Sequence, residues 1–121
     1  MDTLTGLDSY EEFVPKLQSL IDNLDDKIIL IDYSDIKHFK YFNDTYSYKT
    51  GNDLLADYAK LLSSNKNNFL YGSRVVSDNM VTVGLYDIHD EDILHNQIIT
   101  RNMLIENELR SKYKCNRLSI C

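Results

Sequence analysis

Four aliphatic residues in a row, Ile28-Ile29-Leu30-Ile31, followed at once by polar sequence, restrict this chain more than any other feature. The run is rich in β-branched side chains, and with Tyr33 it reads as a strand over 28–34 covered on both faces. Asp35 then stands just past the strand end. Lys37, His38, Lys40, Asn43 and Asp44 make a polar loop, and Gly51-Asn52-Asp53 opens a run of Leu54, Leu55, Tyr58, Ala59 and Leu62, a helix over about 52–63. A buried strand leading through a polar loop into a helix is where α/β proteins place ligands.

The rest of the chain alternates in the same way. Ser9-Tyr10-Glu11-Glu12 has the form of a capping box, and Phe13, Leu17, Leu20, Ile21 and Leu24 recur at helical spacing. Pro15 falls late for a first turn and removes a backbone bond, so this helix either kinks at Pro15 or begins there. Asn23 to Asp26 end it. After a polar turn cluster at 63–68, residues 69–76 and 80–86 read as strands, with Ser77-Asp78-Asn79 as the hairpin turn between them. An acidic stretch at 87–92 opens a long amphipathic helix carrying Ile93, Leu94, Ile98, Ile105 and Leu109. It ends near Lys112 to Lys114, so acid at the front and base at the back suit the helix dipole. Residues 117–121 read as a last strand.

Without its first helix the order is βαββαβ, the ferredoxin-like unit: an α+β fold with an antiparallel sheet and helices on its faces. In that topology the third strand lies antiparallel beside the first. Asp35, at the exit of strand one, therefore comes next to Asp78, at the entrance of strand three. Two neighbouring carboxylates suit a divalent cation, and Mg²⁺ is usually held by one or two carboxylates together with substrate phosphates. Taken one at a time, Asp35 is a strand-end acid and Asp78 a turn acid.

Composition closes off other classes. The 121 residues support one domain with a single modest core. A net charge of −6 and a pI near 4.9 argue against a nucleic-acid surface. Cys115 and Cys121 form no C-x-x-C pair, so neither a disulfide framework nor a zinc site is indicated, and a reducing cytoplasmic setting is expected. No apolar run reaches the length of a membrane span, and Met1-Asp2 leads into no signal-peptide pattern, so no membrane contact by this chain is expected. His38, His89 and His95 share no ligand spacing and read as surface residues.

The stretch DIKHFKYFND at 35–44, followed by SYKTGNDLL at 47–55, resembles the GGDEF, or diguanylate cyclase, domain family, whose pattern is DxDxFKxIND followed by GHxxGDxxL. The upstream LTGL segment of that family matches Leu4-Thr5-Gly6-Leu7. Its downstream R-x-GGDEF signature, on a hairpin, falls on Arg74-Val75 and then Val76-Ser77-Asp78-Asn79-Met80. The resemblance implies a Mg²⁺ site formed by Asp35, the backbone of Ile36, and Asp78. It implies phosphate contacts from the loop Lys37, His38, Phe39 and Lys40 and from Ser77, and base contacts from Asn43 and Asn52. Asn43 also suits an Asx-type turn with Asp44. Tyr41, Tyr46 and Tyr48 either pack the loop or stack on a base.

The departures from the family pattern are equally specific. Lys37 replaces the second Asp of DxDxFK and puts a positive charge beside the metal site. Val76 and Ser77 replace two glycines, and a β-branched residue disfavours positive φ. Asn79 replaces the acid implicated in activating the attacking hydroxyl; an amide cannot serve as a base, and losing such a group lowers rates by about 10²–10⁴-fold. The RxxD product-inhibition motif would fall at 67–70 and is missing, and the family continues past the counterpart of Cys121 with further phosphate-binding Lys and Arg. The expectation is a fragment of a larger signalling protein. It is a degenerate domain without a catalytic residue that acts as a regulatory or nucleotide-sensing module in cyclic di-GMP signalling. Its implied ligands are GTP or another purine nucleotide with weakly held Mg²⁺, and its implied partners a second copy or a neighbouring EAL or sensory domain. The alternatives are an active diguanylate cyclase and a structural module that binds no nucleotide.

Overall fold

The computed structural model describes residues 1–64, 68–87 and 89–121. Its elements are α1 (Tyr10–Asp22), β1 (Ile28–Ser34), α2 (Phe39–Thr45), α3 (Tyr48–Leu62), β2 (Phe69–Val76), β3 (Asn79–Tyr86) and α4 (Glu91–Tyr113). The three strands form one antiparallel sheet in the order β1-β3-β2, the arrangement the βαββαβ reading requires. Residues 65–67 of the expected polar turn, and Ile88 of the acidic stretch, lie outside the described residues.

The capping box forms as read. Ser9 Oγ accepts from the Glu12 N–H at 3.2 Å, and the Glu12 carboxylate accepts from the Ser9 N–H at 2.9 Å. With both donors satisfied, α1 starts at Tyr10 and runs through the exposed Pro15 rather than starting there. Its buried Phe13 lies on Val81 and Val83 of the central strand, with the Tyr71 ring edge-on at 6.0 Å. The LTGL segment docks beside it: Gly6 takes φ +75, a left-handed value that suits glycine, Leu7 is buried, and Asp8 bridges to Ser73 of β2.

Four sequence expectations need correction. β1 is not covered on both faces: it is an edge strand, and Ile31 and Tyr33 on its α1 side are 46% and 60% exposed. The polar loop is mostly helical, because Phe39 and Phe42, three apart, both bury into the core and draw 39–45 into α2. The following helix starts at Tyr48, not near Asn52, because Ser47 supplies the cap, its Oγ accepting from the Thr50 N–H at 3.1 Å. Residues 117–121 form no full strand. They make one antiparallel bridge, Ile36 to Ile120, with Lys37 N–H donating to the Ser119 carbonyl at 2.8 Å.

The main core lies between the other sheet face and α3 and α4, around Leu54, Tyr58, Leu62, Met80, Ile105 and Leu109. Two polar contacts cross it. The Tyr58 and Ser34 hydroxyls are hydrogen-bonded to each other, and burial pushes the Tyr58 pKa far up, so the phenol stays neutral. Arg101 of α4, 7% exposed, reaches Asp32 of β1 at 2.5 Å and Thr82 Oγ1 at 3.5 Å. No helix among the described residues is long and apolar enough to cross a membrane. His38, His89 and His95 are exposed, and both cysteines are free.

Removing one partner of a buried ion pair strands the other in a poorly solvated place. Arg101→Ala is expected to lower unfolding free energy by about 2–3 kcal/mol in a urea titration, while Asp32→Leu combined with Arg101→Met loses clearly less. Equal losses in the two variants would count against this account of the pair.

Candidate functional site

The register of β1 on β3 ends with Ser34 opposite Met80, which sets the hairpin tip against the residues leaving β1. Asp78 Oδ2 accepts from the Ile36 N–H at 2.9 Å. Asp35 and Asp78 are thereby brought to one corner of the sheet. The turn itself is tighter than expected: only Ser77 and Asp78 form it, and Asn79 already pairs with Val76. The left-handed backbone falls on Ser77, at φ 53, and not on Val76, which stays in β2. The Ser77 carbonyl accepts from the Arg74 guanidinium at 3.3 Å.

The loop after β1 is short and internally bonded. Asp35 exchanges both backbone bonds with Cys121, at 3.2 and 3.0 Å, and the Phe39 N–H donates to the Ile36 carbonyl at 3.2 Å. The N–H groups of Ile36, Lys37 and Phe39 are therefore all in use within the chain. Phe39 is buried in the core, while Lys40 and Ser77 are exposed. The Lys37 and His38 side chains line a separate cavity of about 530 Å³, shared with Tyr41, Tyr46, Lys114 and Arg117. The phosphate set read from the sequence is thus divided: Lys37 and His38 at that cavity, Lys40 on the exposed face of α2, and Ser77 at the hairpin tip.

Asn43 and Asn52 sit on successive helices. Asn43 Oδ1 is buried, has no hydrogen-bond partner, and occupies the space where a Cβ on Gly51 would lie, 1.7 Å from that point. Asn52, the next residue after Gly51, is exposed in α3, and Asp53 pairs with Lys49 at 3.2 Å. The bare Gly51 lets α2 and α3 approach closely enough to hold the Asn43 amide between them.

The oxygens of Asp35, Asp78 and the Ile36 carbonyl are the hard donors that Mg²⁺ takes. Asp78 already gives one oxygen to the Ile36 N–H, and the Ile36 carbonyl already accepts from Phe39. Among the described residues no group of three or more His, Cys, Asp or Glu side chains is gathered for a metal. These donors fit a cation that completes its shell with oxygens from a bound phosphate or water. Lys114 and Arg117 went unnoticed in the sequence, because nothing in a helix C-cap and tail pattern points back toward α2.

A family model described as "Diguanylate cyclase, GGDEF domain" matches residues 1–118. No curated protein matches the chain. Among solved structures, the GGDEF domain of DgcB from Caulobacter crescentus in complex with c-di-GMP is similar at 19% identity and TM-score 0.72, over 88% of this chain and 63% of that one. A sensory box/GGDEF family protein from Caulobacter crescentus CB15 is similar at 22% identity and TM-score 0.74, over 87% and 68%. The diguanylate cyclase SiaD from Pseudomonas aeruginosa, in complex with its activator SiaC, is similar at 19% identity and TM-score 0.66, over 90% and 40%. The chain thus spans less than two thirds of the length of the DgcB domain.

A methyl group at Gly51 displaces the Asn43 amide while improving helix propensity by about 1 kcal/mol. Gly51→Ala is therefore expected to leave stability unchanged or slightly raised and to shift the Asn43 side-chain NH₂ resonance in ¹⁵N spectra. An unmoved resonance would show that the amide is not where the contact puts it.

Proposed function

The chain belongs to the GGDEF domain family, and from that premise we propose that it is a degenerate member that senses a purine nucleotide and makes no cyclic di-GMP. One observation carries this reading: Asn79 stands where the signature has an acid, closing the hairpin opposite Val76. An amide neither takes a proton from an attacking hydroxyl nor adds charge to a metal site. The N–H groups of Ile36, Lys37 and Phe39 are bonded within the chain, which leaves phosphates to be held through the metal and side chains. The alternative of an active cyclase lacks a base at this position.

Retained binding, against a purely structural role, is supported by the corner where Asp78 meets Ile36 beside Asp35. In this reading Asp35, Asp78 and the Ile36 carbonyl hold Mg²⁺ weakly, with nucleotide phosphates completing its shell. The resemblance assigns Lys40 and Ser77 to those phosphates and Asn43 and Asn52 to the base, Asn52 being the exposed one of the two. The module works in the cytoplasm as part of a larger signalling protein and passes its nucleotide state to a neighbouring domain or a second copy.

Titrated with Mg·GTP, the purified chain is expected to yield no cyclic di-GMP above a no-enzyme control. Product that appears and vanishes on Asp35→Ala would overturn the reading. A second expectation concerns the base. An Asn amide at position 52 offers one acceptor and one donor, so one donor on guanine's Watson–Crick edge goes unmatched, at about 1–3 kcal/mol in a dry pocket. The same pattern suits adenine. Competition binding is expected to give similar affinities for GTP and ATP, and Asn52→Asp to raise the GTP preference without producing turnover. A wild-type chain selecting GTP a hundredfold would refute this role for Asn52.

A further inference from the structure

The second cavity lies between α2 and the turn that follows α4, and Asn43, Asn52, Asp35 and Asp78 do not line it. Its volume of about 530 Å³ is within the range of small-ligand sites, roughly 300–1,000 Å³. Its charge is out of character with the chain. The protein carries a net −6, yet Lys37, Lys114 and Arg117 meet here with no Asp or Glu in the lining. Among the described residues, Lys16, Lys27, Lys49, Arg74, Arg101, Arg110 and Lys112 each have a carboxylate partner, whereas these three cations, like the exposed Lys40 and Lys60 outside the cavity, have none. Unneutralised like charges around one concavity repel each other and favour an anion between them.

Two further features face the same space. His38 and Lys114 hold left-handed backbone, at φ 60 and φ 51, a costly conformation for residues other than glycine. Tyr41 and Tyr46 are 56% and 46% exposed. Tyr46 packs against Phe42, ring centroids 4.6 Å apart. Cations for phosphate oxygens beside tyrosine faces for a flat ring match one chemical class.

We propose that this cavity binds a nucleoside phosphate without a metal ion, its phosphates on Lys37, Lys114 and Arg117 and its base against Tyr41 and Tyr46. The three side-chain cations do here what Mg²⁺ does at a carboxylate site: they neutralise the phosphate charge. The site stands independently of the Asp35–Asp78 corner, and EDTA separates the two. ADP and inorganic pyrophosphate, each titrated into the full chain in EDTA and followed by calorimetry, are the probes.

ADP is expected to bind at least fivefold tighter than pyrophosphate. Arg117→Glu and Lys114→Gln, both at exposed positions, weaken each ligand, the charge reversal by at least tenfold, and raised salt does the same. Tyr41→Ala removes the advantage of ADP and leaves pyrophosphate unchanged. Asn43→Ala and Asp78→Ala leave metal-free binding intact. Circular dichroism confirms that each variant is folded. Absence of ADP binding in EDTA, or binding indifferent to Arg117→Glu, overturns the proposal. Equal affinities for ADP and pyrophosphate overturn the nucleotide assignment. If ADP binds only with Mg²⁺ and is lost on Asp78→Ala, the corner site holds it, and this proposal falls while the function proposed above stands.

Discussion

The antiparallel register of β1 on β3 is the constraint on which the rest depends. Because Ile28 pairs with Tyr86 and Ser34 with Met80, the exit of β1 and the hairpin tip before β3 come to the same corner. A slip of one residue would turn Ile29, with Val81 and Val83 on the α1 face, toward α3 and α4. It would also expose Asp32 and Ser34 on the wrong side. Their partners Arg101 and Tyr58 are both buried, so a slipped register leaves polar groups without bonds. These contacts make the register specific where hydrophobic pairing alone would tolerate alternatives.

That corner is held by backbone bonds more than by side-chain chemistry. Asp78 to Ile36, Asp35 to Cys121 and Lys37 to Ser119 join the hairpin, the loop and the C-terminal segment into one network. A loop whose N–H groups are spent internally is well ordered and correspondingly less available to phosphate. The cavity beyond α2 has the opposite balance. Its backbone is held in unusual conformations at His38 and Lys114, and its cations lack partners. Order at one site and unmet charge at the other divide the roles that a single loop seemed to combine.

Strands and long helices were legible because local periodicity and burial agree there. β2 has the bounds the pattern indicated, and Ser9 with Glu12 announced the start of α1. The stretch between β1 and α3 was harder. Asn43 and Asp44 are turn formers by local preference, and burial of Phe39 and Phe42 overrides that preference. Ser47 as a cap was visible in the sequence, but the glycine at 51 drew attention to a later start. Val76 and Ser77 stand where the signature has two glycines, and the β-branched Val76 was expected to disfavour positive φ. The left-handed conformation falls on Ser77, and Asn79, expected in the turn, joins β3, because turn length is decided by how the two strands pair rather than by the residues alone.

By itself the sequence determined the family, the three strands and the helices α1, α3 and α4, since each rests on short-range pattern and chain topology. Tertiary structure alone decided which N–H groups are already bonded, that Asn43 packs into the space left by Gly51, and that Lys114 and Arg117 meet Lys37 across a cavity. Those facts depend on how distant segments approach in space. Side-chain reach and backbone direction at the end of α4 set that approach, and no periodicity along the chain encodes it.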